Sequence, residues 1–142
     1  MNEKEVKEKL TKACRSLYDK ELGLIRNCTH ERTIASQIAR YLEPLFEGWN
    51  VDIEYNREGS EEKPKRSIDG ELLLPDIVIH KRGSKMGPNL VTVQVKGFWN
   101  KEDRTKDEED LRKLWSKYKY KFLYRLELKP KSFKLIPVNP ES

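Results

Sequence analysis

Cysteine is scarce: the chain has two, Cys14 and Cys28, among 142 residues. Two cysteines make no disulfide framework, and reduced thiols are the default inside cells. They make no zinc site either. "CTH" at residues 28–30 has no second close pair, and Cys14, Cys28, His30 and His80 lack the spacing of tetrahedral zinc ligands. Long apolar runs are also missing. No stretch approaches the length of a membrane-spanning helix, and "MNEKEVKEKL" lacks the apolar segment of a signal peptide. No membrane association and a cytoplasmic address are therefore expected. Internal repeats, low-complexity segments and blocks of one charge sign are absent as well. With charged residues at 37% and hydrophobic ones at 36%, the mixed pattern suits a soluble globular protein rather than a disordered one.

The length fits one domain, residues 1–142, with a single core. A net charge of +5 and a pI near 9.1 lean toward polyanionic partners such as nucleic acid. Residues 1–23 read as an N-terminal helix, with Val6, Leu10, Ala13 and Leu17 at helical spacing and Gly23 as its stop. A second helix, capped by Thr29, presents Ile34, Ala35, Ile38, Ala39 and Leu42 on one face and ends at Pro44 and Gly48. "WNVDIEYNRE" alternates, predicting a strand with Val51, Ile53 and Tyr55 inward and Asp52, Glu54 and Asn56 on a wet face. A charged loop follows at 57–70. Leu72–His80 and Leu90–Lys96 predict two buried strands forming an antiparallel hairpin, and "KEDRTKDEEDLRKLWSKYKY" predicts an acidic-started helix with Leu111, Leu114, Trp115 and Tyr118 inward. "KFLYRLEL" and "SFKLIPV" predict two further strands paired across "KPK". The expected fold class is α/β (α+β), one mixed central sheet flanked by helices.

Within "ELLLPDIVIHKRGSKMGPNLVTVQVKG", residues 71–97, Asp76, Gln94 and Lys96 interrupt otherwise apolar strands. Each costs about 1–3 kcal/mol if left without a partner. Strand alternation puts Gln94 and Lys96 on one face, and one antiparallel register brings Asp76 beside them at the end of the sheet, before Gly97 releases the chain. A carboxylate, an amide oxygen and an ammonium gathered there can bind a divalent cation and a phosphate together. Blander readings exist for each residue. Asp76 satisfies backbone N–H groups after Pro75, Lys96 snorkels from a strand end, and an acid such as Glu31 suits any helix start. His80, at the far end of its strand, reads as a surface or loop-packing residue.

"PD" followed after a gap by "VQVKG" resembles the core of the PD-(D/E)xK nuclease superfamily, the restriction-endonuclease-like fold. The order of elements agrees, and "HERTIASQIARYLE" supplies the helix-borne acid that often joins the metal site in that superfamily. The resemblance extends to small bacterial and archaeal members and covers residues 29–128, leaving 129–142 as a terminal strand and tail. It implies a restriction-endonuclease-like mixed sheet and Mg²⁺- or Mn²⁺-dependent hydrolysis of phosphodiesters, with DNA the expected partner. Asp76, Gln94, Lys96 and Glu31 would be the catalytic residues, with Asp76, Gln94, Glu31 and the Val95 carbonyl around the metal. Gln94 departs from the acidic residue usual there, which removes a negative charge that hard cations favour; Glu54 and Glu71 are reserves. The alternative is a catalytically degenerate module of the same fold that binds nucleic acid or a protein partner. Dimerisation is common in the superfamily because one site cuts one strand, and the N-terminal helix is the candidate contact. Asn56, Arg57, Lys81, Arg82 and Lys85 are candidate phosphate contacts.

Overall fold

In the computed structural model, residues 1–53, 57–58, 63–64, 75–82 and 88–141 are described. Helix α1 (Glu3–Lys20) starts where the Asn2 side chain accepts the Glu5 N–H, and it buries Val6, Leu10, Ala13, Cys14 and Leu17. Gly23 does not stop it. The helix ends at Glu21, and Gly23 lies inside a short helix α2 (Leu22–Arg26) that buries Ile25. Thr29 is not a cap either: His30 takes the N-cap position of α3 (Glu31–Leu42) without a side-chain bond, and the Thr29 N–H closes back on the Leu24 carbonyl. Ile34, Ala35, Ile38, Ala39 and Leu42 form the buried face of α3, as their spacing predicts. A 3₁₀ turn at Glu43–Leu45 takes in Pro44, and Gly48 turns the chain at φ +85°, a backbone state that costs glycine little.

Strand β1 (Asn50–Ile53) enters the sheet next. Residues 57–70, expected as loop alone, contain a two-residue ladder of β2 (Arg57–Glu58) with β3 (Lys63–Pro64). Strands β4 (Ile77–His80) and β5 (Asn89–Gly97) form the expected antiparallel pair. Leu72–Leu74, expected to begin β4, lie outside the described residues. Helix α4 (Arg104–Tyr118) then carries the chain to β6 (Phe122–Leu128), which pairs parallel with β5, and β7 (Phe133–Pro137) pairs antiparallel with β6. The sheet order is β1-β4-β5-β6-β7, a mixed sheet of five strands and an α/β fold. A parallel pair needs a crossover too long for a hairpin, and α4 supplies it. Gly97 remains in the ladder opposite Leu128 rather than releasing the chain before it.

Alternation divides the sheet cleanly. Ile77, Ile79, Val91, Val93, Val95, Tyr124, Leu126 and Leu128 face α1 and α3 in one large core. Val78 and Leu123 face the other way, against Leu111 and Leu114 of α4, with Tyr120 and Val138 closing that smaller cluster. No helix among the described residues is long and apolar enough to cross a membrane. Leu111 is fully buried. Leu111→Ala therefore leaves a cavity under α4 and is expected to lower unfolding free energy by about 2–4 kcal/mol in urea denaturation.

Candidate active site

The β4–β5 ladder pairs Ile77 with Val93. One step further, the backbone ladder gives way to side chains. The Asp76 N–H donates to Gln94 Oε1 at 3.0 Å, and Asp76 Oδ2 accepts the Val95 N–H at 2.6 Å. Asp76 therefore satisfies a backbone N–H on the neighbouring strand, and it meets Gln94 in the register that the alternation argument needs. Val95 is joined to Asp76 through its N–H. One N–H uses part of a carboxylate's acceptor capacity and one N–H half of an amide oxygen's, so both groups retain lone pairs.

Glu31, at the first position of α3, reaches the same end of the sheet from the other face. Its Oε2 accepts the Gly97 N–H at 2.7 Å, and Asn100 Nδ2 donates to Oε1 at 3.0 Å. The carboxylate thus anchors the corner where β5 turns toward α4. A Cβ on Gly97 would run into the Trp99 indole, so glycine leaves the space that lets the indole fold back over the strand end.

Lys96 does not snorkel into water. Its side chain is 11% exposed, and Nζ lies 3.0 Å from Glu102 Oε2 and 3.4 Å from Asp107 Oδ1. Arg104 braces the same corner. It donates to the carbonyls of Glu102 and Gly97 and pairs with Glu127 at 3.0 Å. Next along α4, Glu108 Oε2 lies 2.9 Å from Arg125 Nε, so ion pairs continue the contact between α4 and β6. Asn100, Glu102, Arg104 and Asp107 were not anticipated from sequence. A signal for Asp107 was present: it stands four and seven residues before Leu111 and Leu114, which puts an acid on the apolar stripe of α4. Its place in an acidic first turn made the helix dipole seem a sufficient explanation.

Burial pushes the Asp76 carboxyl up to about 7; the Val95 N–H and Lys96 oppose that rise, and the charges of Glu31 and Asp107 add to it. For Lys96, burial alone would lower the ammonium, but the Glu102 hydrogen bond and the charges of Asp107, Glu102 and Glu31 win, and the net shift is upward. Burial raises Asp107 against the pull of Lys96 and Arg104. A half-buried carboxylate beside other acids is a place where a cation relieves electrostatic cost. The oxygen donors at hand (Asp76, Gln94, Glu31 and the Val95 carbonyl) are hard ligands of the kind Mg²⁺ and Mn²⁺ take, so the donor chemistry fits. Among the described residues, no three His, Cys, Asp or Glu side chains gather as a cage by themselves.

Of the candidate phosphate contacts, the two whose side chains are described do not join this site. Lys81 and Arg82 follow the opposite end of β4 from Asp76. Lys81 Nζ bonds the Gly48 carbonyl and lies 4.7 Å from the Trp49 ring centre, while Arg82 grips Asp52 with Nε at 2.8 Å. Val51 and Ile53 face the large core as expected, Asp52 on the other face is largely covered, with 16% of its side chain exposed, and His80 is not at the surface. His80 is 3% exposed, and its Nε2 lies 2.8 Å from Asp52 Oδ2. Burial opposes ionisation of Asp52, yet the bonds from His80 and Arg82 outweigh it and hold the carboxyl at about 2. Asn56, Lys85, Glu54 and Glu71 lie outside the described residues, as does the side chain of Arg57.

The raised Asp76 carboxyl gives a pH prediction. Between its ordinary value of 3.8 and about 7, the folded chain holds a proton that the unfolded chain releases. Stability from this group is full below the ordinary value and falls as pH rises through about 7. Asp76→Asn keeps an oxygen for the Val95 N–H and carries no charge. Relative to the parent chain it is expected to gain on the order of 2 kcal/mol at pH 8, with the gain vanishing near pH 4. Urea unfolding at both pH values checks this, and identical pH slopes for the two proteins would contradict it.

Comparison with known proteins returned no matching family model, no matching curated protein and no matching solved structure.

Proposed function

We propose that this chain is a metal-dependent nuclease of the PD-(D/E)xK type that hydrolyses phosphodiester bonds, with DNA as its substrate and Mg²⁺ or Mn²⁺ as its cofactor. One observation carries the reading: Asp76 bonds Gln94 Oε1 through its backbone N–H and the Val95 N–H through its carboxylate, at a sheet end that also receives Glu31 and the Lys96 ammonium. Asp76, Gln94, Glu31 and the Val95 carbonyl would hold the ion. When bound, the ion supplies Lewis acidity toward a phosphate oxygen and a more acidic water. The protein's own part is electrostatic and positional. Asp76 and Glu31 supply negative charge from opposite faces of the sheet, which offsets the neutral amide at Gln94. Lys96 presents an ammonium, kept charged by its acidic neighbours, to the negative charge that develops at phosphorus. The ladder fixes Asp76 and Gln94 relative to one another, so little reorganisation accompanies substrate entry. No serine or histidine nucleophile is needed.

A second reading has its own support. Gln94 stands where the superfamily carries an acid, and the described acids do not form a cage. The chain would then be a module that binds nucleic acid without cutting it.

One set of measurements separates the two. The purified protein is expected to nick plasmid DNA with Mg²⁺ or Mn²⁺. Asp76→Ala and Lys96→Ala are each expected to lose about a hundredfold in rate or more, with cooperative thermal unfolding retained. Calorimetric titration with Mn²⁺ should show binding that Asp76→Ala weakens. Salt-sensitive DNA binding with no cleavage, even in Gln94→Glu, would establish the second reading instead.

A further inference from the structure

Lys96 has two acidic partners of very different character. The Asp107 side chain is 11% exposed and the Glu102 side chain 74%. Resting on the nuclease reading, we propose that the Glu102 carboxylate is the anion that a substrate phosphate displaces from Lys96, and that Asp107 is the positioning residue that keeps the ammonium aimed during the exchange.

The placement of each acid supports this division. Asp107 lies on the stripe of α4 that continues into Leu111 and Leu114, both buried against the sheet, so its carboxylate is held close to Lys96 in a place with little room for water. Glu102 precedes the Asp103 cap in the loop between β5 and α4. Its backbone is held at both ends: the N–H donates to Asn100 Oδ1 at 2.9 Å, and the carbonyl accepts from Arg104. Its side chain is hydrogen-bonded at the tip, to Lys96. Rotating that side chain frees the ammonium and leaves the main chain in place.

An ammonium has three donors and no acceptor, so it trades one anionic oxygen for another without changing its own state. The carboxylate on the solvent side of Lys96 offers the same oxygen chemistry as a phosphodiester. A carboxylate that already faces water loses little when it is released, whereas stripping a buried one leaves an uncompensated charge. The phosphate therefore takes the place of Glu102, not that of Asp107. No bond is made or broken in the exchange; one ionic contact replaces another.

The test follows Lys96 directly. Inorganic phosphate is titrated, at fixed pH and ionic strength, into the full chain labelled with ¹³C-lysine. The Lys96 signal is identified by its loss in Lys96→Gln. Glu102→Gln is expected to lower the phosphate midpoint about two- to fivefold, the range an exposed ion pair commands. Asp107→Asn is expected to move the Lys96 signal before any phosphate is added and to raise the midpoint. In cleavage assays the first change lowers KM, and the second lowers kcat, with recovery in Asp107→Glu. An unchanged midpoint in Glu102→Gln overturns the exchange, as does a Lys96 signal that phosphate never moves. A midpoint lowered equally by both substitutions overturns the role of Asp107. Glu102 is exposed, so its arm decides the exchange even if Asp107→Asn does not fold. If phosphate exchanges as expected but no cleavage occurs, the nuclease reading fails while this one stands.

Discussion

The candidate site depends on how the β4–β5 ladder ends. Backbone pairing holds as far as Ile77 and Val93. Pro75 has no N–H to offer, so a purely main-chain ladder would fail near this point. Asp76 and Gln94 continue the pairing by other means, each side chain bonding the partner strand's Asp76 or Val95 backbone N–H. The same bonds that close the sheet hold a carboxylate and an amide oxygen side by side in a place poor in water. Structural need and chemical capacity coincide in one pair of residues, and the cost of burying Asp76 is carried by the fold around it.

Two helices deliver acid to this end in the same way from opposite faces. On α3, Glu31 stands four, seven and eleven residues before Ala35, Ile38 and Leu42, and on α4, Asp107 stands four and seven before Leu111 and Leu114. In each case an apolar stripe docks the helix and carries its first-turn acid to the sheet end. Helix N-termini favour negative charge, so each acid sits where the helix itself tolerates it. Lys96, between them, is drawn to the α4 side by Asp107 and Glu102, while Glu31 takes the Gly97 N–H. At the other end of β4, Asp52, His80 and Arg82 form a separate charged cluster. The two polar ends of the sheet are thus isolated by the apolar middle of the strands.

Much of this arrangement could be read from residue spacing. The helical faces of α1 and α3, the hairpin of β4 and β5, the α4 crossover and the β6–β7 pair follow from period and turn chemistry. So does the meeting of Asp76 with Gln94, because alternation leaves few registers that bury the valines. What could not be read depended on contacts between distant segments. Asp52 looked solvated because its strand alternates, but only the fold reveals that His80 and Arg82 cover it. Gly23 carried a stop signal that the short α2 overrode, and Thr29 looked like a cap although α3 starts one residue later, behind His30. Lys96 and Asp107 are eleven residues apart, and nothing local states that the intervening loop folds back far enough to bring them together.

That loop and its helix set an order on how the parts are assembled. Lys96, Glu102 and Asp107 belong to one continuous strand–loop–helix unit, whereas Asp76 and Glu31 come from segments far earlier in the chain. A breathing motion that lifts β1 and β4 from the sheet breaks the acid–amide pair first and leaves the lysine with its carboxylates intact. An opening confined to β1 and β4 would therefore dismantle one half of the site and leave the lysine's partners in place.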